Sequence, residues 1–285
     1  MVTPSLDQGR FLQDALESVV AQGYPAVEHI IVEGGSTDET WTVLERYVHL
    51  PHIRVIEDVP PRGQSAALNL GFRAASGEII GWLNADDRYC EGAFAAAVGG
   101  LMGGEAALIY GDWEAIDEAG LVTKAYTAGA FKRDDLLNGI DTTVAQPTVF
   151  FRRELFDHVG YLDEDLHYTM DFDFWLRAAA VTEFKYLERP LAQFRRHAHS
   201  KSMSQSKRFY PEARRVARGH GGPFFSSAFK RRYLQDWIGP RLVNHFIWHW
   251  TTRGESGAGR PVVEPRGGVS KRCPLCRRWL LGDRP

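Results

Sequence analysis

The feature that most constrains this chain is the switching of hydrophobic period through its first hundred residues. Met1-Val2-Thr3 is a stub of strand, and "FLQDALESVVAQ" then sets Phe11, Leu12, Ala15, Leu16, Val19 and Val20 at helical spacing. "VEHIIVEGG" reads as a short buried strand. "STDETWTVLERYV" reads as a helix, with Ser36 three residues before Glu39 in a capping-box pattern. "HIRVIED", "GQSAALNLGFRAAS" and "EIIGWLNADD" continue as strand, small-residue helix and strand. Strand–helix units with short connections build a mostly parallel sheet covered by helices. Ligands of such sheets sit beyond the carboxyl ends of the strands. "PSLDQG", "EGGSTD", "EDVPPRGQS" and "NADD" fall at those ends, so four loops are expected to assemble one site.

The last of these loops poses the sharpest chemical question. Asn84, Asp86 and Asp87 crowd the end of an apolar run. Carboxylates that close repel one another unless a cation or hydrogen-bond donors lie between them. An Asx turn capping the next helix is the plainer explanation, and this stretch alone leaves both open.

From about Gly111 the pattern is less regular. "AQPTVFFRRELFDHVGYLDEDL" reads as a strand, a helix starting near Arg153 and a turn. "MDFDFWLRAAAV" reads as a helix with Phe172, Trp175, Leu176 and Ala179 on one face, and "FKYLERPLAQFRRH" as two strands about a turn at Arg189-Pro190. Asp171 and Asp173, two apart on a helix, do not share a face, so one can enter a site while the other caps or pairs.

Charge and composition narrow the partners. No apolar run approaches the roughly 20 residues that span a bilayer, and Met1-Val2-Thr3-Pro4-Ser5 shows no basic leader followed by an apolar block. Three cysteines in 285 residues do not make a disulfide framework. These features point to a cytoplasmic protein. Residues 207–285 hold 17 Lys and Arg against 5 Asp and Glu, whereas residues 1–206 hold 17 against 31. A basic tail on an acidic body invites an anionic partner, but the tail carries no nucleic-acid-binding motif. The absence of G-x-G-x-x-G after the first strand argues against a Rossmann dehydrogenase.

In order along the chain, "VTPSLDQGRFLQDALESVVAQGYPAVEHIIVEGGSTDET", "GQSAALNLGF", "GEIIGWLNADDRYCEGAF", "QPTVFFRRELFDHVGYLDEDLHYTMDFDFWLR" and "FRRHAHSKS" resemble the family 2 inverting glycosyltransferases, across roughly residues 1–205. The resemblance implies an α/β chain of GT-A fold. It also implies transfer of a sugar from a nucleotide-diphosphate donor, UDP-type by preference, to an acceptor hydroxyl on a glycan or lipid-linked acceptor. Asn84-Ala85-Asp86 takes the place of the family's DxD motif, which makes Asp86 a ligand of Mn²⁺ or Mg²⁺. Asn84 then suits the ribose or nucleotide, and Asp87 either caps the next turn or assists through water. His197 in "FRRHAHSKS" matches a family histidine that completes the metal shell or contacts the diphosphate, with His199 as competitor and Arg195, Arg196 and Lys201 adding charge near the phosphates.

Pro4, Ser5, Glu33, Arg62 and Gln64 match donor-binding positions, with Arg62 directed at the diphosphate and Gly63 allowing close backbone approach. Glu33 is followed by Gly34 where a second acid is common. Asn69 is either a donor-side residue or one packed against the sheet. Gln146 falls on the acceptor side, and Trp113 and Trp82 are either sugar platforms or core. Asp171 matches the general base; the family usually has Glu before it and this chain has Met170. Losing that neighbouring charge is expected to leave Asp171 with a lower pKa. Family members carry more apolar residues ahead of "VTPS", so the expectation is either a very short first strand or a start that omits residues.

The expected organisation is a GT-A domain at residues 1–205, with a nucleotide half to about 112 and an acceptor half from 113. A helical basic and aromatic extension at 206–253 and a flexible basic tail at 254–285 follow. The extension either lies at the inner membrane surface or packs on the catalytic domain. Cys273 and Cys276 have zinc-ligand spacing but lack two further ligands, so no structural zinc is expected. Two other readings compete with the transferase. One is a nucleotidyltransferase, against which no basic G-x-G-x-x loop appears near the N-terminus. The other is a degenerate sugar-nucleotide-binding module, motivated by Asn84 and Met170.

Overall fold

The computed structural model describes residues 1–130, 132–138, 144–198, 200 and 206–223. The alternation read from the first hundred residues folds as β1 (Val2–Ser5), α1 (Gly9–Val20), β2 (His29–Glu33), α2 (Thr40–Leu44), β3 (Ile53–Glu57), α3 (Gln64–Ala74) and β4 (Ile79–Gly81). β1, β2 and β3 form a parallel ladder in which Ser5, Glu33 and Glu57 stand in register at the carboxyl ends. β2 is buried at all five positions, as a strand covered on both faces must be. α1 covers one face with Phe11, Leu12, Ala15, Leu16 and Val19, while Val20 turns to solvent. α3 crosses β1 closely at Gly71, where a Cβ would collide with Val2. A parallel bridge from Val2 to Trp82 ties β1 to the chain just past β4.

The capping box expected at Ser36 and Glu39 does not form. The Ser36 hydroxyl donates instead to Glu33 and accepts from Asp7 N–H. Asp38 does the capping for two helices at once, accepting from Thr40 N–H at 2.9 Å and from Gly9 N–H at 2.9 Å. A helix N-terminus presents unpaired N–H groups and a positive dipole end, so one carboxylate at two of them relieves both.

The remainder comprises β5 (Arg88–Tyr89), α4 (Ala93–Met102), β6 (Leu108–Ile116), β7 (Val122–Tyr126), α5 (Arg133–Leu137), a 3-10 turn at Gln146–Thr148, β8 (Phe150–Arg152), α6 (Leu155–Val159), α7 (Met170–Ala178), β9 (Phe184–Arg195) and α8 (Ser206–Gly219). Its six-stranded sheet is mixed, in the order β4-β8-β6-β9-β5 with β7 added to β6. The two strands expected about Arg189-Pro190 are one twelve-residue strand, β9, parallel to β6. Pro190 falls opposite Asp112 at a shift in register, where its missing N–H breaks no regular ladder bond. On α7 the buried residues are Met170, Phe174, Trp175, Leu176 and Ala178, with Phe172 and Ala179 at the margin.

α8 follows β9 and buries Ala213, Val216 and Ala217. It packs on α7 and α5. Among the described residues no helix is long and apolar enough to cross a membrane. Most of the expected extension, the tail and the Cys273–Cys276 pair lie outside the described residues, as do His199 and Lys201.

Candidate active site

The turn after β4 delivers two adjacent carboxylates to opposite surroundings. Asp86 keeps 21 % of its side chain exposed, and its Oδ2 lies 3.0 Å from Nε2 of His197, which arrives just beyond β9 from 111 residues away. Phe11 supports the imidazole from 4.9 Å. Asp87 is buried, its Oδ1 accepting from Arg195 N–H at 2.9 Å and its Oδ2 from the Asn84 amide at 3.4 Å. Burial and the neighbouring Asp86 charge push the Asp87 pKa well above the carboxylate range. Asp86 is therefore partly open to solvent while Asp87 anchors the turn to β9.

The Asp86–His197 pair suits a hard divalent ion. Neighbouring ligands on an octahedral ion with bonds of about 2.1 Å lie roughly 3 Å apart. A carboxylate oxygen and an imidazole nitrogen are both ordinary donors to Mn²⁺. Among the described residues no three His, Cys, Asp or Glu side chains converge on one point. Such an ion would take its other ligands from substrate oxygens and water.

Several residues expected to face the donor are taken by the protein itself. The Asn84 Oδ1 accepts from Gln64 Nε2 at 3.0 Å and Trp82 Nε1 at 2.9 Å, and its Nδ2 donates to Gln146 Oε1 at 3.0 Å. Gln146 Nε2 in turn donates to the Trp82 carbonyl at 2.6 Å. An amide offers two donor hydrogens and two acceptor lone pairs, and Asn84 uses them inside this network. Asn84, Gln64 and Gln146 are thus tied together as a scaffold at the end of β4. Glu33 is fully buried and accepts from Gly35 N–H and Ser36 N–H, both at 2.8 Å, so it shapes its own loop instead of reaching a base or ribose.

Arg195 departs from the phosphate role expected of it, and Arg62 has one partner within the protein. Arg195 is 1 % exposed; it donates to the carbonyls of Asp86, Asp117 and Glu118 and pairs with Asp14 at 2.5 Å. A buried guanidinium with this many acceptors is a bolt between β9, α1 and the Asp86 turn. Arg62 pairs with Asp58 at 2.9 Å, with its own side chain 56 % exposed. Asn69 bonds both ways to the Leu162 backbone and to Glu164, which fixes α3 to the segment before α7. Trp113 stacks on Tyr126 at 3.9 Å and, like Trp82, is core; Arg196 lies across both rings of the stack.

Two polar atoms at the strand ends have no protein partner among the described residues. They are the Ser5 Oγ after β1 and the Asp58 Oδ2 after β3, both buried. Burying such groups unpaired costs about 1–3 kcal/mol each. Pro4 stands beside Ser5 on β1, paired with Val32. Asp58 was not singled out from the sequence, although it ends "HIRVIED" where the strand-end rule applies.

Asp171 sits in the first turn of α7, half-buried, with Oδ1 accepting from Phe172 N–H at 2.7 Å. Its pKa is raised to about 6, mainly by burial and further by the Glu212 carboxylate on α8, against the Phe172 hydrogen bond. Burial dominates this shift, and Glu212 supplies a carboxylate charge that the chain lacks at residue 170. Asp173, on another face, is paired with Arg177 at 2.7 Å and His220 at 2.8 Å. Glu212 was missed in the sequence; its signal was being the lone acid of the basic stretch "SKRFYPEARRVARG".

Residues 1–160 match the sequence profile of Glycosyl transferase family 2. The chain belongs to that family. An uncharacterized glycosyltransferase of Rickettsia prowazekii is 26 % identical over 210 residues, 70 % of this chain and 64 % of its own length. A PGL/p-HBAD biosynthesis glycosyltransferase of Mycobacterium bovis is 29 % identical over 194 residues, 66 % of this chain and 73 % of that relative. The match spans only 35 % of a further Rickettsia felis glycosyltransferase. Among solved structures, S. aureus TarS in complex with UDP-GlcNAc superposes with a TM-score of 0.65 at 16 % identity, over 81 % of this chain and 69 % of that one. Mannosyltransferase PcManGT from Pyrobaculum calidifontis, in complex with GDP-Man and Mn²⁺, gives a TM-score of 0.59 at 17 % identity, over 90 % and 75 %. The α/β architecture of this family 2 chain is thus the GT-A fold, its parallel ladder at the N-terminal side.

Proposed function

We propose that this chain is an inverting glycosyltransferase moving a sugar from a nucleotide-diphosphate donor to an acceptor hydroxyl, in the synthesis of a glycan or glycolipid. The observation that carries the reading is the 3.0 Å meeting of Asp86 and His197 at the strand ends, a two-ligand edge for a divalent ion. In this reading Asp86 and His197 hold a Mn²⁺ or Mg²⁺ ion, whose chemistry would be to neutralise charge on the leaving diphosphate. Ser5 and Asp58 present the buried polar atoms that a nucleoside would satisfy, beside Pro4 and the exposed Arg62.

Asp171 acts as general base. Its free carboxylate oxygen takes the acceptor hydroxyl proton as the oxygen attacks the anomeric carbon opposite the departing diphosphate. A pKa near 6 leaves the group ionised at neutral pH while making it a stronger base than an ordinary aspartate. Nucleotide sugars in the TarS and PcManGT complexes support the donor class, and the Mn²⁺ of the latter supports the ion.

The test is to incubate the protein with UDP-, GDP- and dTDP-sugars and Mn²⁺ and to follow the anomeric proton by NMR. Release or transfer of sugar of the opposite anomeric configuration from one donor class is the expected result. Retained configuration contradicts the mechanism. Nucleotide binding without metal or turnover would favour a degenerate binding module, the reading that Asn84's internal network admits.

A further inference from the structure

Of the two placements expected for the extension, α8 takes the one packed on the catalytic domain, gripping α7 at two points. At the N-terminal end of α7, Glu212 accepts from Tyr168 N–H at 2.8 Å, Thr169 N–H at 2.9 Å, the Thr169 hydroxyl at 2.9 Å and, at 3.3 Å, His167 N–H. Thr169 is the residue from which α7 starts, and Asp171 follows two residues later. One turn further on, His220, just beyond α8, bonds Asp173 at 2.8 Å. Burial alone would raise the pKa of Glu212, but the hydrogen bonds from Tyr168, Thr169 and His167 hold it below the usual range, so it is a carboxylate at neutral pH. A helix N-terminus favours such a charge, and four donors on one carboxylate fix its geometry.

We propose that Glu212 is a positioning residue for glycosyl transfer: it clamps residues 167–169 and thereby sets Asp171, supplying from α8 the carboxylate that residue 170 does not provide. The inference rests on the reading of Asp171 as general base. It makes α8, beyond the 160 residues matched by the family profile, part of the catalytic machinery.

The other charged groups around α7 are engaged or turned to solvent. Asp173 is held by Arg177 and His220. On α5, Arg133 donates to the His220 carbonyl, Asp135 accepts from Lys132 N–H and Asp134 is exposed. On α6, Asp157 and His158 are exposed, as are Arg208, Arg215 and Arg218 on α8 and His167 before α7. The Glu212 charge adds to burial in raising the Asp171 pKa.

The experiment follows the Asp171 carboxyl directly by ¹³C NMR in the full chain, assigned by loss of the signal in Asp171→Asn. It is titrated in wild type, Glu212→Gln and Glu212→Ala. Gln keeps an acceptor oxygen and loses the charge, so its Asp171 should titrate lower by roughly half a unit to one unit. In turnover, the acid limb of kcat should move down by the same amount in Glu212→Gln, with kcat at its plateau within about threefold. Glu212→Ala, which also releases the loop, should lose about tenfold or more in kcat with little change in donor KM. A residue that merely stabilises the fold would lower the unfolding temperature and leave both titrations unmoved. That outcome overturns the proposal. If Glu212→Ala does not fold, Glu212→Gln decides alone. The carboxyl titration needs no turnover, so an inactive wild type with a shifted Asp171 would sink the transferase reading and leave the coupling standing.

Discussion

The parallel half, residues 1–83, and the mixed half, residues 108–195, handle their polar side chains in opposite ways. At the strand ends of the parallel half, Glu33 is closed by its own loop, and Asn84, just past β4, is closed by Gln64, Trp82 and Gln146. These groups are satisfied and serve as frame. The segments that follow the mixed half bring His197 to Asp86, and Glu212 to the start of the Asp171 helix. Satisfied polar networks are rigid and costly to break, whereas a half-buried carboxylate with an oxygen left open can trade protons. Substitutions should therefore tell the satisfied frame from the open groups, which at the carboxyl ends of the parallel half's strands include Ser5 Oγ and Asp58 Oδ2.

The largest effect is expected where the chemistry is touched. Asp171→Asn should lower kcat by roughly 10²–10⁴-fold with donor binding and unfolding temperature nearly unchanged; steady-state kinetics beside a thermal melt checks this. Arg195→Ala should do the reverse. It strips a buried cation from three carbonyls and Asp14, so urea unfolding should show a loss of about 3 kcal/mol. Asn84→Ala should cost about 1–2 kcal/mol and leave donor KM within about threefold. A large KM change at unaltered stability would move that amide from frame to donor and break the comparison.

A smaller, pH-dependent effect belongs to the frame. Burial pushes the His29 pKa down to about 3 from 6.5, and its Nε2 lies 2.9 Å from the Thr3 hydroxyl. Above pH 6.5 neither the folded nor the unfolded chain protonates it. As the pH falls from 6.5 towards 3, the unfolded chain gains a proton that the folded chain refuses. Stability should then drop by up to about 1.4 kcal/mol per pH unit from this group. Urea melts between pH 7.5 and 5 should show that slope, flattened in His29→Gln.

The parallel half was legible because its signals are local. Alternating periods place β1 to β4 and α1 to α3, and strand ends locate the site without knowledge of distant contacts. Side-chain duty was not legible there, because whether Asn84 or Glu33 faces a ligand depends on Gln64, Gln146 and the turn at 34–36. In the mixed half, Pro190 looked like a turn, since nothing local reveals that β6 lies alongside to absorb it in a bulge. The origin of the Asp171 pKa was hidden for the same reason: the residue that compensates for Met170 lies 42 positions along, in a helix whose composition reads as a solvated basic face. Asp86, His197 and Asp171 stand out in the sequence because their motifs resemble a family pattern, and the structure brings the first two together, while Arg195 looked like a phosphate ligand until its burial was seen.

In the proposed mechanism Asp86 and His197 jointly hold the cation that a nucleotide diphosphate requires. Calorimetric titration of the protein with UDP, GDP and dTDP, with and without Mn²⁺, tests it most directly when repeated on Asp86→Ala and His197→Ala. One nucleotide should bind wild type at least about tenfold more tightly with Mn²⁺, and each variant should lose that metal-dependent gain. Binding of equal strength with and without Mn²⁺ in all three proteins would contradict the claim.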